Sequence, residues 1–421
     1  MPCILAGALA ARLGTAVLVQ QKVEQTPGRL CLIAGDAAGY WDLARHLARG
    51  EDFAIYDPPR YVLRMPGFPI VMALGMKVFG ESVLGTRVML ACVGTVACWL
   101  VYLLGRELVD ENTGLIAGFL AAISPALIGF SVLLLSETLF ALALLASLIA
   151  FAKLVKADDE AAGVVSKQRR VILAIFAGVL FGAATLVRPT WLLVAPAFAL
   201  FFLLTARNRK RRLSEFALVI AGLSLALAPW TIRNALVTGH FVPTTLWMGP
   251  SLYDGLSPQA TGESKMEFVE TDGWYSRPDV TEYEADRHYR QAALAFAKDH
   301  PGRACLLGLK KLWRFCNPFP NAEQFGDWGT WLVVGLFELP VLLLGVIGFW
   351  QVRNSPRTWV LSAGPVLYFA LVHTVFIGSL RYRLPVEYAL LVLSAVGARW
   401  LVTKFTSSRQ IVPGHALLGS N

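Results

Sequence analysis

The strongest constraint in this sequence is a succession of apolar stretches, each near the roughly 20 residues a helix needs to cross a bilayer. About ten can be drawn, at 3–20, 83–104, 113–133, 135–153, 171–187, 190–205, 215–232, 331–350, 358–377 and 385–403. Several hold a proline (Pro125, Pro196, Pro229, Pro340, Pro365), which membrane helices tolerate when neighbours re-satisfy the freed carbonyls. Only 16% of the residues are charged, against about 25% in soluble domains. The fold class that follows is an all-α polytopic membrane protein, a bundle of about ten transmembrane helices. Its first stretch, Cys3 to Val19, has no basic n-region and no small-residue cleavage site, so it reads as an uncleaved helix and not a signal peptide.

The net charge of +9 is not spread along a nucleic-acid-binding helix. It sits in blocks between the apolar stretches: Lys153, Lys156, Lys167, Arg169 and Arg170; then Arg207, Arg209, Lys210, Arg211 and Arg212; then Arg353, Arg357, Lys404 and Arg409. With ten spans and the N-terminus inside, every block falls on the cytoplasmic face, as positive-inside topology requires. The opposite face then receives two long segments, 21–82 and 233–330, and three short ones near 134, 188 and 380. Residues 1–405 form one transmembrane unit on this reading, with 406–421 as a cytoplasmic tail.

The two long outer segments carry helices of their own. The first reads as an amphipathic helix from Asp36 to Gly50, a turn at Asp57-Pro58-Pro59, and a second helix from Pro69 to Phe79. Trp41, Phe68 and Phe79 suit interfacial helices lying on lipid headgroups. The second segment begins Gly/Pro/Thr-rich (Gly239 to Gly262) and turns helical from Glu282 to Lys298. Its basic aromatic stretch Lys310-Lys-Leu-Trp-Arg-Phe then re-enters the membrane. Cys305 and Cys316 lie in this segment and could pair as a disulfide; the six cysteines show no C-x-x-C or metal-ligand spacing.

Chemistry at the outer face needs groups that fall there. Asp36, in Gly35-Asp36-Ala-Ala-Gly39-Tyr40, has the local sequence of a helix N-cap. It is also a candidate general base held rigidly by that helix start. Glu137, in Leu135-Ser136-Glu137-Thr138, stands at the mouth of a span, where ionisable residues are costly and functional by default. Arg64, Arg188, Arg233, Arg381 and Arg383 lie at or beside span ends on the face that should be poor in positive charge. Together they suggest an anion, and arginine binds phosphate bidentately. Arg381-Tyr382-Arg383 occupies a very short loop. Pro66-Gly-Phe-Pro69 sets the path of the chain beside Arg64. His373 reads as a core histidine. Asp36 and Glu137 could share a divalent cation if they converge, although no H-E-x-x-H or Cys/His cluster marks a metal site. There is no G-x-x-x-x-G-K-[ST] for ATP-driven transport and no G-x-S-x-G for a hydrolase.

These elements, in this order and on one face, resemble the polytopic glycosyltransferases of the GT-C fold, and among them the dolichyl-phosphate-mannose–protein mannosyltransferase family and its bacterial lipid A aminoarabinose transferase-like relatives. The resemblance rests on Asp36 and Tyr40 after the first span, Arg64-x-Pro-Gly-Phe-Pro, Leu-Ser-Glu137, Arg188-Pro, Pro229-Trp-Thr-Ile-Arg233-Asn234 and Arg381-Tyr-Arg383-Leu-Pro385. It implies inverting transfer of a sugar from a polyprenyl-phosphate donor to a glycolipid, polysaccharide or protein acceptor outside a bacterial inner membrane. Asp36 matches the catalytic base, with Glu137 as a second acid. Arg381, Arg383, Arg188 and Arg64 are expected at the donor phosphate, and Tyr40, Arg233 and Tyr382 in the substrate pocket. The family often has a second acid directly after the first, where this chain has Ala37. Acceptor selection is expected of the two outer loops. Two readings compete. One is a transporter of lipid-linked sugars, against which stand the lack of an inverted-repeat pattern and the near absence of ionisable residues in the middle of spans, Arg12 being an exception. The other is a non-catalytic degenerate family member, in whose favour stands Ala37.

Overall fold

The computed structural model describes residues 1–26, 31, 35–159, 166–320 and 327–409. Apart from one isolated bridge between Ile55 and Arg60, its regular elements are helices. Helix α1 (Pro2–Glu24) is followed by α2 (Asp36–Arg49) and α3 (Gly67–Phe79) of the first long loop. The chain continues through α4 (Val83–Leu108), α5 (Glu111–Ile123), α6 (Pro125–Phe130), α7 (Glu137–Asp159), α8 (Lys167–Val187), α9 (Val194–Leu204) and α10 (Arg209–Thr238). The second long loop folds into α11 (Met248–Gly255), α12 (Phe268–Thr271), α13 (Glu282–Asp299) and α14 (Pro301–Cys316). Helices α15 (Trp328–Val352), α16 (Pro356–Val375) and α17 (Leu380–Arg409) complete the bundle. Helix α17 runs on to Arg409, past position 406 where the tail is expected to start, and residues from 410 on lie outside the described ones.

Among the described residues, eight helices are long and apolar enough to cross a membrane: α1, α4, α7, α8, α10, α15, α16 and α17. Two of the ten expected spans are shorter. The apolar run 113–133 breaks at Ser124-Pro125, leaving α5 with 13 residues, about 20 Å of rise against a hydrocarbon core of about 30 Å. The residue before a proline is pushed out of the helical region, and Ser124 takes φ −61°, ψ 118° while its hydroxyl accepts from Leu127 N–H to start α6. Arg12 explains how the break is tolerated inside the bundle. Fully buried, it donates to the carbonyls of Ala121 at 3.1 Å and Ala122 at 3.5 Å, and to Ala8 of its own helix at 3.2 Å. The cation inside the first span therefore satisfies groups that α5 leaves open at its end. The second short element, α9, has 11 residues and follows a 3-10 turn at Pro189–Trp191.

Helix α7 is the most enclosed, with Phe140, Leu144, Leu148 and Phe151 fully buried. Between apolar helices in lipid such contacts act through dispersion and close packing, since lipid tails are as apolar as leucine. The loop helices cover one end of the bundle. Trp41 and Phe68, expected at the headgroups, instead face the protein at 4% and 0% exposure. The outward apolar face of α3 is made by Ile70, Leu74, Val78 and Phe79, the i, i+4, i+8 row opposite to Phe68. Lys310–Phe315 belongs to the amphipathic helix α14 and not to a membrane span. That helix also rules out the Cys305–Cys316 disulfide: both thiols are free and stand eleven helical positions apart. This is about 16 Å of rise, where a disulfide needs Cα atoms within about 7 Å.

Candidate functional site

Asp36 does not cap its helix. Gly35 takes the N-cap position at φ 75°, a left-handed conformation that glycine adopts without strain, and Asp36 becomes the first helical residue with a free-standing carboxylate. Arg64 Nη1 meets its Oδ1 at 2.7 Å, and Arg381 Nη2 meets its Oδ2 at 2.9 Å. Arg381 also reaches the second acid, with Nε 2.5 Å from Glu137 Oε1. Arg188 closes the chain of charges, with Nη2 2.7 Å from the same Glu137 oxygen and Nε donating to Ser136 Oγ at 3.1 Å.

Local sequence explains each placement. Arg188 precedes Pro189 and so leaves the helix in an extended conformation (φ −139°, ψ 118°), which turns its side chain towards the start of α7. Pro66-Gly67-Phe68-Pro69 starts α3 directly against the end of α8. A Cβ on Gly67 would lie 2.7 Å from the Leu186 carbonyl oxygen, so only glycine lets the two backbones meet. Phe68 packs edge-on to Tyr40 with centroids 5.0 Å apart. That contact ties Arg64, just before the motif, to α2 and to Asp36.

Aromatic faces flank the guanidiniums. Arg64 lies 5.0 Å over Tyr40, and Arg188 and Arg381 each lie 5.7 Å from the Tyr382 ring, geometry suited to cation–π attraction. Tyr382 in turn stacks on His373 at 4.6 Å. His373 Nδ1 sits 2.5 Å from the Ile377 carbonyl oxygen, which makes Nδ1 the donor, and Nε2 is buried without a protein partner. Glu137 Oε2 and Arg64 Nε are likewise buried and unpartnered. Burial alone would raise the pKa of Asp36, but the charges and hydrogen bonds of Arg64 and Arg381 hold it well below the usual carboxylate range. The carboxylate is therefore ionised throughout the physiological range.

Five of the charged residues singled out in the sequence, Asp36, Arg64, Glu137, Arg188 and Arg381, thus meet in one cluster, with Tyr40 and Tyr382 beside it. Two do not. Arg383 was expected beside Arg381 because a short loop was read there, but Leu380 already begins α17. Residues two apart on a helix point about 200° apart. Arg383 is fully buried on the other side, 2.9 Å from both Glu338 and Glu387, and donates to the carbonyls of Phe315 and Asn317. Arg233 is taken up by the first loop, donating to the carbonyls of Tyr61 at 2.6 Å and Phe53 at 3.1 Å. Glu282, not singled out in the sequence, holds the same strap from the second loop by accepting from Tyr61 N–H at 2.9 Å and Val62 N–H at 3.0 Å. The shared divalent cation does not fit this donor set, because the Arg381 guanidinium itself lies between Asp36 and Glu137 and pairs with both.

The bundle of membrane-length helices, with loop helices over one end, has the GT-C membrane-protein fold. Residues 59–232 match the family model described as dolichyl-phosphate-mannose-protein mannosyltransferase, under half of the chain. The archaeal oligosaccharyltransferase AglB from Archaeoglobus fulgidus, in complex with an inhibitory peptide and a dolichol-phosphate, aligns with a TM-score of 0.61 at 16% identity, over 99% of this chain and 52% of that one. The same organism's oligosaccharyltransferase in complex with Zn and sulfate gives 0.58 at 16% identity, over 96% and 50%. ArnT from Cupriavidus metallidurans bound to undecaprenyl phosphate gives 0.46 at 14% identity, over 99% and 81%. The chain spans about half the length of the oligosaccharyltransferase chains it matches. No curated protein sequence matches it.

Proposed function

We propose that the protein is a membrane glycosyltransferase that moves a sugar, with inversion, from a polyprenyl-phosphate donor to an acceptor hydroxyl or amine on the extracytoplasmic face of a bacterial inner membrane. The observation that carries this reading is Arg381, which joins Asp36 and Glu137 at the end of a membrane-length helix. A proton acceptor and a surplus of guanidinium stand together where the phosphate of a membrane lipid would lie. The family match and the dolichol-phosphate named with the archaeal oligosaccharyltransferase support a lipid-phosphate ligand. The lysine and arginine blocks between spans support the orientation. Residues 1–405 act as one transferase unit on this reading, with the remainder as a cytoplasmic tail.

The acceptor atom attacks the anomeric carbon from the side opposite the phosphate, and its proton passes to Asp36. The bond from the anomeric carbon to the phosphate oxygen breaks, and its electron pair stays on the polyprenyl phosphate. Arg381, Arg64 and Arg188 neutralise that charge as it develops. In the free protein both Asp36 oxygens are held by guanidiniums, which keeps the carboxylate a weak base. A lipid phosphate competes for Arg381 and Arg64, so donor binding itself loosens Asp36 and strengthens it as a base. Tyr40 and Tyr382 keep the guanidinium planes in place. The test is Asp36→Asn in membranes supplied with a panel of labelled polyprenyl-phosphate hexoses and pentoses. Transfer should fall by about 100-fold or more, and undiminished transfer would remove Asp36 as the base.

A further inference from the structure

The strap between α2 and α3 carries the one non-glycine residue with positive φ among the described residues, Tyr56 at 71°. Such a conformation is a genuine outlier for a bulky side chain, and strain of this kind persists only where the surroundings over-determine it. They do so here. On either side of the turn, Ile55 and Arg60 exchange backbone hydrogen bonds at 3.2 and 2.8 Å. Ile55 is buried beside Leu43, Leu63, Tyr275 and Tyr289, and the Arg60 guanidinium lies 4.9 Å over Tyr275.

Packing of Tyr56 itself does not offset the strain, because the residue is 63% exposed. Its hydroxyl makes no hydrogen bond among the described residues, yet it is not adrift. Tyr56 Oη lies 3.7 Å from where a Cβ on Gly39 would stand, and Arg64 Nη2 lies 3.9 Å from the same point. Gly39 is one turn after Asp36 on the same face of α2. The ring therefore leans over a side-chain-free notch next to the Arg64–Asp36 pair. Asp36 has two sides: Arg381 approaches one oxygen from a span end, and Arg64 approaches the other from the loop. With both guanidiniums available to the donor phosphate, the exposed Tyr56 ring at the loop edge of the Arg64–Asp36 pair is the surface an acceptor would meet on its way to Asp36.

We infer that Tyr56 positions the acceptor, a hydroxyl-bearing saccharide whose flat apolar face lies on the tyrosine ring while its hydroxyl points at Asp36. This rests on the transferase reading above. The experiment uses the full chain in detergent and in native membranes that hold the acceptor, with Tyr56→Gly and Tyr56→Phe. Tyr56→Gly, relieved of the left-handed strain, should melt about 1–2 °C higher and bind undecaprenyl phosphate as the parent does. Its KM for the acceptor extract should rise about tenfold with kcat within about threefold, and Tyr56→Phe should restore KM. An unchanged KM in Tyr56→Gly, or saccharide-free protein as the labelled product, overturns the inference. So does a lower melting temperature with weakened undecaprenyl phosphate binding, since that is the signature of a merely structural residue. If the parent itself transfers no sugar from any donor in the panel, the transferase reading fails first and takes the acceptor role with it.

Discussion

Two arginine–carboxylate clusters sit two residues apart on α17, and their ratios of guanidiniums to carboxyl groups are reversed. Around Arg381, three guanidiniums face two carboxylates, and the Asp36 side chain is 33% exposed. Around Arg383, one guanidinium faces two carboxylates, with every member at 1% exposure or less. The first cluster is short of negative charge and open to it. The second has one guanidinium between two buried carboxyl groups and is closed, and its remaining N–H groups are spent on the carbonyls that end α14. The same helix end thus offers a cation surplus to a ligand on one side and fastens α14 and α15 on the other. Residue type alone separates neither role; the balance of partners and their exposure does.

The comparison breaks most readily at the closed cluster. Arg383→Met leaves Glu338 and Glu387 buried without a counter-charge, a change that costs about 3–5 kcal/mol. Little or no monodisperse protein is expected by size exclusion in detergent, and a parent-like yield and melting temperature would make the two clusters equivalent. Arg381→Met should behave differently, because Asp36 keeps Arg64 and Glu137 keeps Arg188. Its melting temperature should stay within about 3 °C of the parent, while transfer falls about 100-fold or more.

A smaller effect is expected at the strap that links the two loops. Burial pushes Glu282 from its ordinary 4.5 up to about 7, against the opposing pull of the Val62 and Tyr61 N–H groups, Arg60 and Arg233. The folded protein holds this proton more tightly than the unfolded chain does, so the contribution to stability is complete below about pH 4.5 and is lost as pH rises through 7. Melting temperature should therefore decline across that window, and Glu282→Gln should flatten the decline. A Glu282→Gln profile parallel to the parent's would show that Glu282 is not the titrating group.

Much of the cluster was legible in the sequence because topology is. Lysine and arginine blocks sort the loops to two faces, and that sorting put Asp36, Arg64, Glu137, Arg188 and Arg381 on one of them before any contact was known. The misplacements have specific physical causes. Apolar composition is continuous across 113–133, so hydropathy alone does not see the helix end that Ser124-Pro125 imposes or the buried Arg12 that caps it. Arg381 and Arg383 were paired because a loop was read where α17 begins, and helical geometry sends them to opposite sides. Glu338 lies inside an apolar stretch, and nothing in its local sequence points to Arg383. Glu387 follows Arg383 by four residues, a spacing that pairs the two only once 380–387 is read as helix and not as loop. Tyr56 left no signal, since a left-handed φ is a property of the folded strap and not of the residue type.

The central claim is that the open cluster binds a lipid phosphate, and titration of undecaprenyl phosphate into detergent-solubilised parent and Arg381→Met tests it most directly. Calorimetry should show saturable binding to the parent, weakened about 30-fold or more in the variant. Equal affinity in the two proteins would contradict the account.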